Sequence, residues 1–273
     1  MEVLTLIDNL VYGEGLTAEH GLSFLIKVKN KTILFDTGQT GAIIHNANYL
    51  AEDLNDVDAV IISHGHYDHC GGLESFLEVN NHATIYLKQR ALSEKYSVHG
   101  AVKKFVGFSL KKNLDEYSNS FVFLDEDTEI FPGVKLITGI FEYTHDLVSE
   151  GDFFEKSEMS FLQDPFADEL FMLINERNKN HLFTGCSHKG ILNILKTAYE
   201  KLNHEKIHSV SGGMHFGGAL LDQLDQHLDR FDVFGIEKLY LNHCTGIDGY
   251  IRLKNKFPLA VQYAFTGYHY ELY

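Results

Sequence analysis

Four side chains with metal-binding chemistry fall within six residues of this sequence. They are His64, His66, Asp68 and His69, in the run SHGHYDHCGG at 63–72. Imidazole and carboxylate suit zinc, iron or manganese, and neutral imidazole is the usual nitrogen ligand of zinc. On an extended segment bending into a turn, His64 and His66 point the same way, while Asp68 and His69 can turn toward a second ion. One ion rarely draws four ligands from six consecutive residues, so the spacing predicts two adjacent divalent ions. Gly71 and Gly72 relieve the backbone as it turns into a helix. Two such cations lower the pKa of a shared water and stabilise charge on leaving oxygens, which serves hydrolysis of phosphoesters, thioesters, lactones or amides. The same cations could hold a diphosphate leaving group while an amine or carbon nucleophile attacks.

The elements that must position these residues follow a repeated pattern: an apolar strand, a loop with histidine and glycine, then a helix. DAVIIS (58–63) precedes HGHYDHCGG, HLFT (181–184) precedes GCSHKG, IHSVS (207–211) precedes GGMHFGG, and KLYL (238–241) precedes NHCTG. After the second loop, Ile191, Leu192, Leu195, Ala198, Tyr199 and Leu202 share one face at helical spacing. Leu220, Leu224, Leu228 and Phe231 do so after the third, and a helix is expected over 250–257 after the fourth. Further strands are expected at 4–7, 23–28, 32–35, 83–87, 121–124, 134–138 and 170–174. In a sheet-and-helix architecture such loops gather at one edge, where ligands bind. The order of elements predicts an α/β fold with two sheets face to face and helices outside, a four-layer αββα sandwich. It is read as one domain over 1–273.

Composition narrows the function classes. The chain has 273 residues, 44% of them hydrophobic, enough for a large core, and a formal net charge of −15. That charge argues against a general nucleic-acid binder, which needs cationic surface to displace counterions. The opening MEVLTLIDNLVYGEG shows no basic leader, and no run approaches the length of a membrane span. Three cysteines, an odd number, make a poor disulfide framework. A small-molecule substrate, no membrane partner and a cytoplasmic setting are expected; oligomeric state is left open. Residues 88–112 carry seven basic side chains against the single acid Glu94, a local reversal of charge. This insertion, near 88–118, reads either as a phosphate-attracting wall or lid or as a solvated helical segment. The stretch 142–166, with Tyr143, Phe153 and Phe154, is a candidate lid.

The HxHxDH run after a strand resembles the metallo-β-lactamase superfamily. ILFDTG (33–38) is similar to its strand–Asp–Thr–Gly turn, LFTGC (182–186) to its fifth-ligand strand and NHCTG (242–246) to its last histidine motif. With EHGLSFLI (19–26), FTGCSHKGI and SGGMHF, the set looks like the subfamily of 7,8-dihydropterin-6-ylmethyl-4-(β-D-ribofuranosyl)aminobenzene 5′-phosphate synthases. The resemblance implies the superfamily's sandwich and a two-metal centre, zinc first, with iron or manganese as alternatives. Carried over, His64 and His66 would bind one ion, and Asp68, His69 and His243 the other, with Asp36 orienting a ligand histidine. Many superfamily members have a bridging aspartate where Cys186 stands here; His188, two residues on, is favoured as the remaining ligand. His145 is a further candidate, and His20 reads either as reaching the cleft or as a turn histidine satisfied by backbone. Asp68 is expected to act in catalysis, and His215 as a substrate-side acid or hydrogen-bond donor. The expected activity is hydrolysis of a small, phosphorylated or ring-containing substrate by a metal-activated water. A synthase-type transfer displacing diphosphate is the alternative, and an iron redox enzyme on the same fold a further one.

Overall fold

The structure, a computed structural model, describes residues 1–149, 152–217 and 219–273. These residues form two compact units: 1–125, 152–168 and 265–272 in the first, and 126–149, 169–217, 219–264 and 273 in the second. Glu150 and Gly151, within the stretch read as a lid, and Gly218 of the GGMHFGG loop lie outside the described residues.

The first unit is built on a seven-stranded mixed sheet. Its order is His269–Glu271, Glu2–Ile7, Ser23–Val28, Lys31–Phe35, Ala59–Ile61, Thr84–Leu87 and Phe121–Phe123. On one face Leu4, Leu25, Leu34 and Val60 pack with Ile43 of helix Ala42–Tyr49 and Leu73 and Phe76 of helix Leu73–Val79. The alternate residues Phe24, Ile26, Ile33, Phe35 and Ile61 are also buried. Burial of both faces explains why these strands read as nearly unbroken apolar runs. Each such side chain contributes roughly 1.5–3 kcal/mol on burial. The strands ending at Phe35 and Ile61 are parallel and in register, Phe35 opposite Ile61. The ILFDTG turn and the SHGHYDH loop therefore leave the sheet side by side.

This unit also holds a four-stranded antiparallel sheet, in the order Phe161–Gln163, Phe153–Lys156, Glu94–His99 and Val102–Phe105. The basic stretch is thus partly strand, which corrects its reading as a helical segment. Nor is it one cationic wall. Lys95 is buried, with its ammonium 2.6 Å from Asp164 and 2.9 Å from Asp168. Arg90 pairs with Glu155, and Lys103 lies over the Phe161 ring. Strands also occupy 153–156 and 161–163 within the stretch read as a lid.

The second unit carries another seven-stranded sheet. Its order is Val261–Tyr263, Lys238–Leu241, Ser209–Gly212, Lys179–Thr184, Phe171–Glu176, Val134–Ile137 and Thr128–Phe131. The first four are mutually parallel, and Thr184, Gly212 and Leu241 stand opposite one another. The loops GCSHKG, GMHF and NHCTG therefore all leave from the same sheet edge. Helix Ile191–Lys201 buries Ile191, Leu192, Ile194, Leu195 and Ala198, close to the face read from its spacing. Helix Ala219–His227 continues into 3-10 turns over Leu228–Phe234, and Gly246–Lys256 forms the last helix. No helix among the described residues is long and apolar enough to cross a membrane.

Candidate metal centre

In the first unit the HGHYDH segment begins extended and becomes a single helical turn, Tyr67–Cys70, with His66 as its extended N-cap. His64, His66, Asp68 and His69 are all buried. Asp36, in the left-handed region at φ 58°, turns its carboxylate back on this segment. Its Oδ1 accepts the Ser63 N–H at 2.7 Å. Its Oδ2 accepts the Ser63 hydroxyl at 2.7 Å and lies 2.7 Å from His69 Nδ1. Ser63 Oγ, already donating to Asp36, lies 2.9 Å from His64 Nδ1 and can accept its proton. One carboxylate thus places the proton on Nδ1 of both His64 and His69 and leaves each Nε2 with its lone pair, the state a ligand needs.

His64 Nε2 and His66 Nδ1 approach to 3.2 Å. A tetrahedral zinc with bonds of about 2.0–2.1 Å would set two imidazole nitrogens roughly 3.3 Å apart. Burial, then the neighbouring His69 and His66 rings, hold His64 well below the usual imidazole range. Burial likewise lowers His66 to about 3, against the pull of Asp68. Both rings are neutral at pH 7, and two neutral imidazoles with converging nitrogens fit a divalent cation. Asp68 Oδ2 lies 3.2 Å from His20 Nε2, so His20 does reach this cluster, from a half-exposed position. Cys70, which follows the run, donates to the His66 carbonyl at 3.1 Å. Burial pushes its thiol well up, which makes it an inert packing residue.

The second unit assembles its own donors at the sheet edge. Cys186, His188 and His215 bring ligand atoms within 4.8 Å of one another, and so do Cys186, His243 and Cys244. His215 and His243, both at φ 48°, and Ser187 at φ 61° adopt left-handed backbone. Such conformations are costly for residues with a Cβ and persist where the surroundings impose them. Part of that imposition is visible. The His215 N–H donates to Cys244 Sγ at 3.3 Å, the Met214 N–H to Thr245 Oγ1 at 3.1 Å, and Ser187 Oγ to the Gly213 carbonyl at 2.7 Å. Gly212, at φ 135°, has no room for a Cβ, which would sit 2.0 Å from the Thr184 carbonyl. The His188 and His215 rings lie 4.4 Å apart. His145 stands apart from these groups, 84% exposed and 2.8 Å from Glu142.

Three contributors escape the sequence reading. Glu169 is buried, and its carboxylate accepts the N–H groups of His188 and Lys189 at 2.7 and 2.8 Å. Asp168 accepts the Gly65 N–H at 2.7 Å. Cys244 brings its Sγ within 4.8 Å of ligand atoms of Cys186 and His243. The adjacent acids in ADEL (167–170) give no sign in sequence that both carboxylates turn inward.

Comparison with known proteins points to one family. A family profile described as the metallo-beta-lactamase superfamily matches residues 16–149. An uncharacterized protein of Methanocaldococcus jannaschii, MJ0448, is 29% identical over 263 residues, 91% of this chain and 92% of that one. From the same organism, 7,8-dihydropterin-6-methyl-4-(beta-D-ribofuranosyl)-aminobenzene-5'-phosphate synthase is 26% identical over 268 residues, 90% of this chain and 88% of that one. The crystal structure of Tm1679, a metal-dependent hydrolase of the beta-lactamase superfamily, superposes with a TM-score of 0.85 at 31% identity, covering 100% of this chain and 99% of that one. Proteins of this superfamily are mostly metal-dependent hydrolases. Likeness of this degree, running the full length of both chains, makes the protein a member of the metallo-β-lactamase superfamily.

Proposed function

We propose that the chain is a metal-dependent hydrolase of a small, phosphorylated or ring-containing substrate. The observation that carries this reading is the pair of neutral, buried imidazole nitrogens, His64 Nε2 and His66 Nδ1, set 3.2 Å apart beside Asp68 and His69. On the superfamily's pattern, His64, His66 and His188 would hold one divalent ion, and Asp68, His69 and His243 the other. Zinc is the first choice, because the donors are imidazoles with thiols nearby. Bound there, the ions would supply an activated water and a counter-charge for the leaving oxygen.

The protein's own residues do the rest. Asp36 and Ser63 fix the tautomers of His64 and His69, so that no proton need leave these rings when a cation arrives. The Asp68 carboxylate, braced by His20, is the base that orients the nucleophile and accepts its proton. His215 is the substrate-side donor. A phosphorylated substrate finds support in Lys104, whose exposed ammonium lies 3.2 Å from the hydroxyl of Tyr67, inside the HGHYDH run. The 26% identity to the synthase supports a second reading, attack of a nucleophile other than water with loss of diphosphate.

Elemental analysis of purified protein, with a panel of phosphodiester, lactone and thioester substrates, tests the proposal. Up to two transition-metal ions per chain and hydrolysis of one class are expected. A folded protein that neither contains nor takes up such an ion would sink it. Turnover only with a diphosphate substrate and an added amine would favour the synthase-type reaction.

A further inference from the structure

Asp168 belongs to neither donor cluster, yet it holds the one backbone position between the two histidines of the HGH segment. Its Oδ2 accepts the Gly65 N–H at 2.7 Å, and its Oδ1 takes the Lys95 ammonium at 2.9 Å. Lys95, Asp164 and Asp168 are each at most 3% exposed. Asp164 also grips Lys95, at 2.6 Å, and accepts the Phe166 N–H at 2.7 Å. Burial works against the Lys95 ammonium, but Asp168 and Asp164 outweigh it and keep it charged. Burying three charges is expensive, and a packed apolar trio would often be as stable or more so. What the charges secure is a fixed Asp168 carboxylate beneath Gly65.

The neighbouring contacts restrain the same few residues. A Cβ on Gly65 would lie 2.0 Å from the Ala91 carbonyl oxygen, so the segment sits flush against that backbone. The Tyr67 N–H donates to the Val106 carbonyl at 2.9 Å. The His66 ring stacks on Phe153 at 5.0 Å and meets Phe166 edge-on at 6.1 Å. All of these partners come from the four-stranded sheet and the segments flanking it.

We infer that Asp168, steadied by Lys95, is a positioning residue for the His64–His66 metal-binding pair, acting through the Gly65 N–H. The inference rests on the metal-dependent reading above. It explains why the basic insertion contributes a buried lysine, and why 153–168 returns to that lysine. The separation of two ligand nitrogens tolerates little error, and outer partners of this kind typically carry 10–100-fold of metal affinity.

The test compares Asp168→Ala and Asp168→Asn with Asp164→Asn, which removes the other partner of Lys95 without touching Gly65. Zn2+ affinity is measured by competition with a chromophoric chelator, ligand geometry by the visible spectrum of the Co2+-loaded protein, and metal-free stability by urea unfolding. Asp168→Ala should weaken the tightest Zn2+ site by about 10–100-fold and alter the Co2+ bands. Asp168→Asn, which keeps a weaker oxygen acceptor, should lose about tenfold, and Asp164→Asn no more than about threefold. Wild-type affinity and spectrum in Asp168→Ala would overturn the inference. So would equal losses in Asp164→Asn and the Asp168 variants, which would mark plain destabilisation. Should Asp168→Ala not fold, Asp168→Asn against Asp164→Asn decides by the same criterion. A wild-type protein that binds no Zn2+ or Co2+ would instead defeat the metal reading itself.

Discussion

Asp36 serves two histidines with one carboxylate, directly for His69 and through Ser63 for His64, so the donor atoms of the first cluster are set before any cation arrives. Asp68 is in a different position: its oxygen faces His20 at the edge of the cluster, where it can act on a bound molecule. Asp68→Asn keeps the shape and removes the charge, and should lose at least about 100-fold in kcat, the scale expected of a positioned acid–base group, while circular dichroism stays native. Wild-type turnover in that variant would contradict the role given to Asp68. In the second cluster the choice lies between His188 and Cys186. Both are buried, but Glu169 accepts the His188 and Lys189 N–H groups and so fixes the His188 backbone. His188→Ala is expected to lower metal occupancy and abolish activity, while Cys186→Ser leaves at least one ion bound. An X-ray absorption spectrum with sulfur at about 2.3 Å from the metal, in place of nitrogen at about 2.0–2.1 Å, would reverse the assignment.

Strand ends explain how residues far apart in sequence share an edge. The in-register parallel strands ending at Thr184, Gly212 and Leu241 deliver three loops together. Those strands were legible as short β-type runs, HLFT, IHSVS and KLYL, each running straight into a loop that carries both histidine and glycine. The four-stranded sheet was not legible: Val102–Phe105 and Phe161–Gln163 are exposed along their whole length and show no apolar alternation. Asp168 and Glu169 were missed for a related reason, since an acid in a loop reads as solvated until its backbone partners are known. The central strand Lys179–Thr184 also carries a test of its own. Burial, with His208 adding to it, lowers the His181 ring to about 4, and its Nδ1 lies 2.8 Å from Ser209 Oγ. An unfolded chain protonates this residue near pH 6.5, whereas the folded one resists until about pH 4. Its contribution is therefore present above pH 6.5 and is lost as pH falls through the window between the two values. Urea unfolding of metal-free protein should show His181 costing about 2 kcal/mol between pH 7.5 and pH 5, a loss absent from His181→Gln. Identical pH dependence in the two proteins would show that the ring is not held neutral.

At the scale of the whole molecule, the proposed ions act as ligands of the native state. A cation that binds the folded chain and not the unfolded one stabilises it by about 2.7 kcal/mol at a free concentration one hundred times its Kd. Unfolding entropy scales with length at about 2.1 cal/mol/K per residue, so for 273 residues this corresponds to a rise in melting temperature of about 5 °C per tight site. The net charge of −15 adds a complication, because any divalent cation will screen an acidic surface and raise the melting point somewhat. Screening depends on ionic strength and is indifferent to softness; ligation by imidazole favours zinc over magnesium or calcium. Calorimetry on chelator-stripped protein at constant ionic strength separates the two. Micromolar Zn2+ should raise the melting temperature by about 5 °C or more, while millimolar Mg2+ or Ca2+ should move it by less than about 2 °C. The rise should shrink in a variant in which His64 and His66 are both alanine. A stripped protein that melts at the same temperature with and without Zn2+, or that answers equally to Mg2+, would mean the histidines hold no cation in the folded state.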